Sequence, residues 1–315
     1  MEVPGIHHVT AICGDPQRNV DFYAGILGLR LVKKTVNFDD PTAYHLYYGD
    51  EVGTPGTILT FFAWPGARAG RAGVGQVSTT SFSVPEPSIA RWAGHLRQSG
   101  VTVTGPDRRL GETFIGFEDP DGLQLELIGI AEEPDHAAAG RPWAQGPLGT
   151  EHAIRRIRGV TLVEQGYEGT AALLTDVMGL RTAGNEDSRF RYVTAEAGRQ
   201  ASVDLLSQPE GAHGAVAVGT VHHVAFRSLD DEEQRRWREL LVARGLDVTP
   251  VIDRQYFHSI YFREPGGVLF EIATDPPGFL RDEPLEKLGQ ALELPPWLES
   301  FREQLGRALP PITVP

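Results

Sequence analysis

Cysteine is almost absent: a single residue, Cys13, in 315. That excludes an internal disulfide and a thiolate-only metal site, and it suits a reducing compartment. Cys13 itself reads as a small buried apolar side chain. Long apolar runs are missing as well. No window approaches the roughly 18 apolar residues that cross a bilayer, and the opening MEVPGIHHVT lacks the basic segment and apolar stretch of a secretory leader. Positive charge is the third scarcity. Lys and Arg number 29 against 42 Asp and Glu, a net of −13, with no basic cluster anywhere. Nucleic acid and anionic membranes are therefore poor partners. The expected setting is cytoplasmic and the expected partner a small molecule; the oligomeric state is open, a homo-oligomer included.

With 41% hydrophobic and 23% charged residues, the chain falls in the soluble globular class and is long enough for one or two domains. Its organisation shows when the sequence is slid along itself. In one register Trp92 falls on Trp237, Leu96 on Leu241, Gly100 on Gly245, Phe117 on Phe262, Pro120 on Pro265 and Glu126 on Glu271. In another, His8-Val9-Thr10 falls on Gly159-Val160-Thr161, and Leu27-Gly28-Leu29-Arg30 on Met178-Gly179-Leu180-Arg181. The first and third quarters correspond, as do the second and fourth. Each quarter reads as a short apolar strand, an amphipathic helix closed by glycine, and further strands split by turn residues, a βαβββ unit. In the first unit Asp15 is the expected N-cap, Pro16 suits the first helical turn and Gly28 stops the helix. The segments 65–76, 131–150 and 208–219 are linkers by composition. The fold class is α+β.

The positions that depart from the shared pattern carry the chemistry. Histidine pairs open the first unit, His7-His8, and the fourth, His222-His223; the third unit has Arg158-Gly159 there and the second Val77-Ser78-Thr79. On the last strand of each unit stand Thr60, Glu126, Asp204 and Glu271. Strand side chains alternate, so one histidine of each pair is expected to face the concave side of a sheet, and the pattern leaves open which. Two imidazoles and one carboxylate with open positions beside them are the ligand set of mononuclear non-haem iron(II) oxygenases, though imidazole suits several other first-row metals. Glu126 has the same local sequence as Glu271 but no histidine on its own first strand, which gives it a structural role or one supporting the ligands. His95, His136, His152 and His213 read as solvated, whereas His45 and His258 sit in apolar strand contexts as candidates to support the ligands.

IHHVTAI, YHLYYGDEVGTPGT, VHHVAF, RQYFHSIYFREPGGVLFE and the repeated unit resemble the vicinal-oxygen-chelate superfamily over nearly the whole chain. Within it they are similar to the ring-cleaving dioxygenases that open para-hydroquinones, of the dichlorohydroquinone 1,2-dioxygenase type. The resemblance implies an iron(II) site, with Mn(II) as an alternative, on His8, His223 and Glu271, with O2 as co-substrate and a small aromatic substrate. It places His7 and Thr10 beside the substrate, Tyr261 close to the metal and Arg254 near the ring. Catechol-cleaving relatives take their first histidine from the third unit, where this chain has Gly159. One metal on these ligands requires units one (1–64) and four (220–274) to lie side by side as a metal-binding domain. Units two (77–130) and three (151–207) would then form a metal-free one, with 275–315 as an appendage. Phe38, Phe257 and Tyr256 are candidates to pack on the ring, with a place in the core the expected role of each. The rival readings are a glyoxalase-like isomerase or lyase, and a non-catalytic protein that binds an aromatic compound.

Overall fold

A computed structural model describes residues 1–131, 140–195 and 200–314; His136 and part of the 131–150 linker lie outside the described residues. The first quarter gives β1 (Ile6–Cys13), α1 (Pro16–Val20) running into a π-helical turn (Asp21–Ile26), β2 (Arg30–Asn37), β3 (Asp40–Gly49) and β4 (Ile58–Ala63). The second gives β5 (Gln76–Pro85), α2 (Ile89–Gln98), β6 (Val103–Arg109), β7 (Glu112–Glu118) and β8 (Gln124–Ile130). The third gives β9 (Arg156–Glu164), α3 (Glu168–Ala172) with a second π-helical turn (Leu173–Val177), β10 (Arg181–Glu186), β11 (Arg189–Val193) and β12 (Ser202–Ser207). The fourth gives β13 (Val221–Ser228), α4 (Asp231–Ala243), β14 (Ile252–Asp253), β15 (Phe257–Arg263) and β16 (Leu269–Pro277); α5 (Arg302–Ala308) lies in the C-terminal segment.

Local chemistry sets these boundaries. Asp15 caps α1 by accepting from the Gln17 and Arg18 amides, Pro16 occupies the first turn, and Gly28 takes a left-handed φ of 69° just past the helical segment. Asp230 caps α4, whose first turn carries Asp231, Glu232 and Glu233 against the positive end of the helix dipole. Trp92 on α2 and Trp237 on α4 occupy the matching positions and are both fully buried in the core. No described helix is long and apolar enough to cross a membrane.

The strands form two curled eight-stranded sheets, β14-β15-β16-β13-β1-β4-β3-β2 and β10-β11-β12-β9-β5-β8-β7-β6. The first and last quarters share one sheet and the two middle quarters share the other, giving a two-domain α+β fold. At the centre of each sheet the two opening strands pair antiparallel, β1 with β13 and β5 with β9. Both central pairings carry two β-bulges. Ile6 pairs with Phe226 but His8 with Ala225, which leaves His7 as an extra residue; Thr10 pairs with His223 but Ala11 with Val221, which leaves His222 extra. In the second sheet Ser78 and Arg158 are the extra residues by the same register. A bulge interrupts alternation and re-aims the side chains around it. For this reason the expectation of one inward histidine per pair holds at His7-His8, where His8 alone lines the cavity, and fails at His222-His223, where both rings do.

The C-terminal segment packs on the first sheet. Lys33 on β2 is fully buried and forms ion pairs with Asp282 at 2.6 Å and with Glu283. Tyr256 donates to Asp282 at 3.0 Å, and its ring lies under the Lys33 ammonium. A cation buried this way is held only while both carboxylates stay in place, so the segment is an integral part of the first sheet's wall.

Candidate metal centre and aromatic cavity

His8 on β1, His223 on β13 and Glu271 on β16 meet where three adjacent strands of the first sheet run side by side. Their separations are 3.3 Å for His8 Nε2 to His223 Nε2, 3.3 Å for His8 Nε2 to Glu271 Oε2, and 2.8 Å for His223 Nε2 to Glu271 Oε2. Three donors bound at about 2.0–2.2 Å and at right angles around one ion stand about 3 Å apart, so the triangle fits one face of a metal's coordination sphere. All three residues are buried, and Glu271 Oε2 accepts no well-aligned hydrogen bond among the described residues. Burial raises the Glu271 carboxyl, but the two imidazoles outweigh that effect and hold it well below the usual carboxylate range. The site is a buried anion flanked by two nitrogen donors.

The neighbours of the triangle are set by the bulges. His7 Nδ1 lies 2.9 Å from His8 Nδ1, and His222 Nδ1 lies 2.8 Å from His223 Nδ1, so each inner imidazole is contacted on its far nitrogen by its own sequence neighbour. Burial first, then the charge on His8, pushes His7 well below its ordinary value; burial first, then His223, pushes His222 down to about 3. Both outer rings are neutral at pH 7 and can accept from an Nδ1–H. Ser259 donates to Glu271 Oε1, the carboxylate oxygen that points away from the imidazoles.

A cavity of about 370 Å³ opens over the triangle, walled by Phe38, Phe62, Trp64, Phe257 and Leu269, with Asn37, Asp39 and Asp40 among its polar lining. Of the residues expected at the site, Thr10, Arg254 and Tyr261 line this cavity together with His8 and His223. His7 does not; it lies behind His8, against Phe257. Phe38 and Phe257 face the cavity, whereas Tyr256 packs on Phe279 outside it. His258 pairs with Asp231 near the surface, away from the ligands. His45 does reach the site. Its Nε2 is 2.8 Å from Thr60 Oγ1, its Nδ1 2.8 Å from the Tyr47 hydroxyl, and Thr60 Oγ1 is 2.9 Å from Thr10 Oγ1. These contacts form a hydrogen-bonded chain, Thr10-Thr60-His45-Tyr47, along one wall; burial pushes His45 well below its ordinary value, so a single ring proton sets its polarity. His222 and Tyr47 are among the lining residues that sequence reasoning missed, as are Phe62, Trp64, Asn37, Asp39, Asp40 and Leu269. The doubling of histidine at position 222 was the available signal, but only the bulge makes that ring part of the wall.

The second sheet holds the counterpart of the site in the same register. Gly159, Thr79, Glu126 and Asp204 stand where the first sheet has His8, His223, Glu271 and Thr60. Arginines fill this second cup. Arg109 grips Glu126 with two bonds of 2.9 and 2.6 Å, and Arg191 grips Asp204 with bonds of 2.7 and 2.9 Å. A Cβ at Gly159 would lie 2.1 Å from Ser202 Oγ, so no ligand side chain fits there.

The profile of the Glyoxalase/Bleomycin resistance protein/Dioxygenase superfamily matches residues 5–127 and 156–272. The chain belongs to this superfamily. Among its superfamily relatives, "Putative ring-cleaving dioxygenase MhqO" of Bacillus subtilis (strain 168) is 48% identical over 311 residues, covering 98% of this chain and 97% of that protein. "Chlorohydroquinone/hydroquinone 1,2-dioxygenase" of Sphingobium indicum is 35% identical over 315 residues, covering 98% and 96%. The crystal structure of a protein from Bacillus subtilis subsp. subtilis str. 168, titled a putative dioxygenase, superposes with a TM-score of 0.94 at 47% identity, covering 100% of this chain and 99% of that one.

Proposed function

We propose that this superfamily member is a cytoplasmic iron(II)-dependent dioxygenase that opens the aromatic ring of a hydroquinone-type substrate. The observation that carries the reading is the triangle of His8 Nε2, His223 Nε2 and Glu271 Oε2 at the floor of an aromatic cavity. Its likeness along the whole length to a protein named for chlorohydroquinone and hydroquinone supports the substrate class. Iron(II), or Mn(II) in its place, would be held by these three atoms. Once bound, it would lower the pKa of a coordinated hydroxyl and bring substrate and dioxygen within reach of each other.

The remaining work falls to the chain's own residues. With both Nε2 lone pairs committed, the Nδ1 protons of His8 and His223 are donated to His7 and His222, which fixes the orientation of the inner rings. Phe38 and Phe257, both on the cavity wall, would pack against the substrate ring and exclude water. Burial, then the charge of Glu271, pushes the Tyr261 hydroxyl well above its ordinary value, so it keeps its proton and serves as a donor to oxygen atoms in the cavity. Arg254 places a fixed positive charge beside it, its Nε donating to the Tyr261 oxygen at 3.2 Å.

A glyoxalase-like activity draws on two carboxylates, and the place where the first sheet would supply the second is taken by Thr60, whose hydroxyl is engaged by Thr10 and His45. The test is anaerobic reconstitution with iron(II), followed by oxygen uptake over hydroquinones, catechols and methylglyoxal hemithioacetal. Oxygen consumption with a hydroquinone is the expected result. Full iron occupancy with no uptake on any aromatic would refute the dioxygenase.

A further inference from the structure

Besides the histidines missing from the second, the two cups differ in how the equivalent arginine treats the carboxylate, and the residue across the strand from that carboxylate differs as well. Arg254 and Arg109 occupy the same place: each precedes a non-glycine residue with left-handed backbone, Gln255 at φ 68° and Leu110 at φ 46°, in the hairpins β14-β15 and β6-β7. Across from each carboxylate, on the neighbouring strand, stands Tyr261 opposite Glu271 and Gly116 opposite Glu126. Where that residue is glycine, the guanidinium of Arg109 lies flat on both carboxylate oxygens. Where it is tyrosine, the guanidinium of Arg254 sits 5.3 Å from the ring centroid, donates to the phenol oxygen, and sends Nη1 to Asp39 at 2.9 Å.

We infer that the ring of Tyr261 holds Arg254 off Glu271 and so keeps the first cup open to a metal ion, while Gly116 lets the second cup close on its own arginine. The inference rests on the reading of His8, His223 and Glu271 as metal ligands. Its physical basis is competition. A guanidinium matches a carboxylate with two parallel charge-assisted bonds and keeps its charge at any working pH, so an arginine with a clear path to Glu271 occupies the same oxygens as a metal. Tyr261 blocks that path with its ring and offers the displaced guanidinium two other attractions, the π face and the phenol oxygen. Asp39, at the cavity mouth, pulls in the same direction. Tyr261 is in this role a positioning residue, acting on the metal through Arg254.

The experiment measures iron(II) affinity anaerobically by calorimetry on wild type, Tyr261→Gly, Tyr261→Phe and the double variant Tyr261→Gly/Arg254→Met, with thermal midpoints recorded for each. Tyr261→Gly is expected to weaken iron(II) binding about a hundredfold, the scale of a close charge pair. Tyr261→Phe keeps the ring and stays within about threefold, since only one hydrogen bond is lost. The double variant recovers to within about tenfold of wild type, because the competing cation is gone. If Tyr261→Gly does not fold, Tyr261→Ser takes its place, with a side chain too short to screen Arg254. Undiminished affinity in the small-residue variant overturns the inference, and so does a double variant as weak as the single one. A wild type that binds no iron(II) instead removes the metal reading on which the inference stands.

Discussion

Replacing Arg109 by methionine tests the claim that the second cup is held shut by charge. The perturbation keeps an unbranched apolar stem and deletes the guanidinium, whose central carbon lies 4.3 Å from the Phe114 ring centroid. Glu126 is then left buried with the Ser81 hydroxyl, at 2.7 Å, as its one remaining hydrogen-bond partner among the described residues. Removing one member of a buried ion pair costs about 3–5 kcal/mol, because an uncompensated charge stays behind. Arg189 couples electrostatically to both Arg109 and Glu126 and is depressed by burial and then by Arg109. Loss of Arg109 relieves that repulsion, which favours the lower end, about 3 kcal/mol. For a domain of this size each kcal/mol moves the midpoint by about 2–4 °C, so a fall of about 6–12 °C is expected. Differential scanning calorimetry and urea titration read it directly. Arg109→Met/Glu126→Gln should recover at least half of the loss, since no bare charge remains, and iron(II) affinity at the first cup should be unchanged in both variants. A single variant within about 1 kcal/mol of wild type, the range of a solvated surface pair, would refute the reasoning.

Two further outcomes follow from geometry and titration. His8→Ala should abolish iron(II) binding, whereas His7→Ala, which removes only the contact at His8 Nδ1, should weaken it by about 10- to 100-fold; unchanged affinity on calorimetric titration of His7→Ala would show that this contact orients nothing. Glu164, at the end of β9, is buried beside Glu264; burial and then the charge of Glu264 outweigh the Thr170 hydroxyl and push it up to about 8. The folded state therefore holds this proton more tightly than the unfolded chain, where the group titrates near about 4.3. Its contribution is fully present below that value and declines as pH rises to about 8. Glu164→Gln should flatten the fall in thermal midpoint between pH 6 and 8.5, and an unchanged slope would dismiss the assignment.

The parts of the molecule written in periodic residues were legible in the sequence. Trp92 and Trp237 announce equivalent helices, Asp15 and Gly28 mark the limits of the first helical segment, and the superfamily follows from motifs spread over the whole chain. Legibility stops where one residue breaks a period. Alternation predicts one inward histidine per pair, but the extra residues His7 and His222 shift the register locally, and no propensity scale registers a bulge between two strands more than two hundred residues apart. The arginines of the second cup were invisible for a related reason. Arg109 and Arg254 look alike in sequence, and their different destinations depend on what stands across the sheet, Gly116 or Tyr261. The chain Thr10-Thr60-His45-Tyr47 spans three strands and is written in no contiguous motif.

The division of strands between the two sheets also orders events during synthesis. The second sheet is drawn from a contiguous stretch, β5 to β12, and can assemble as soon as that stretch has left the ribosome. The first sheet cannot. Strands β1 to β4 must wait, with the apolar face of β1 uncovered, until β13 emerges to pair with it. Closing so long a loop carries the entropic cost of distant pairing. An ion held jointly by His8 and Glu271, as proposed, would join the first strand made to the last, so it would bind only the finished chain and stabilise the fold by mass action. On the reading proposed here, iron supply becomes a determinant of how long the newly made first sheet stays closed.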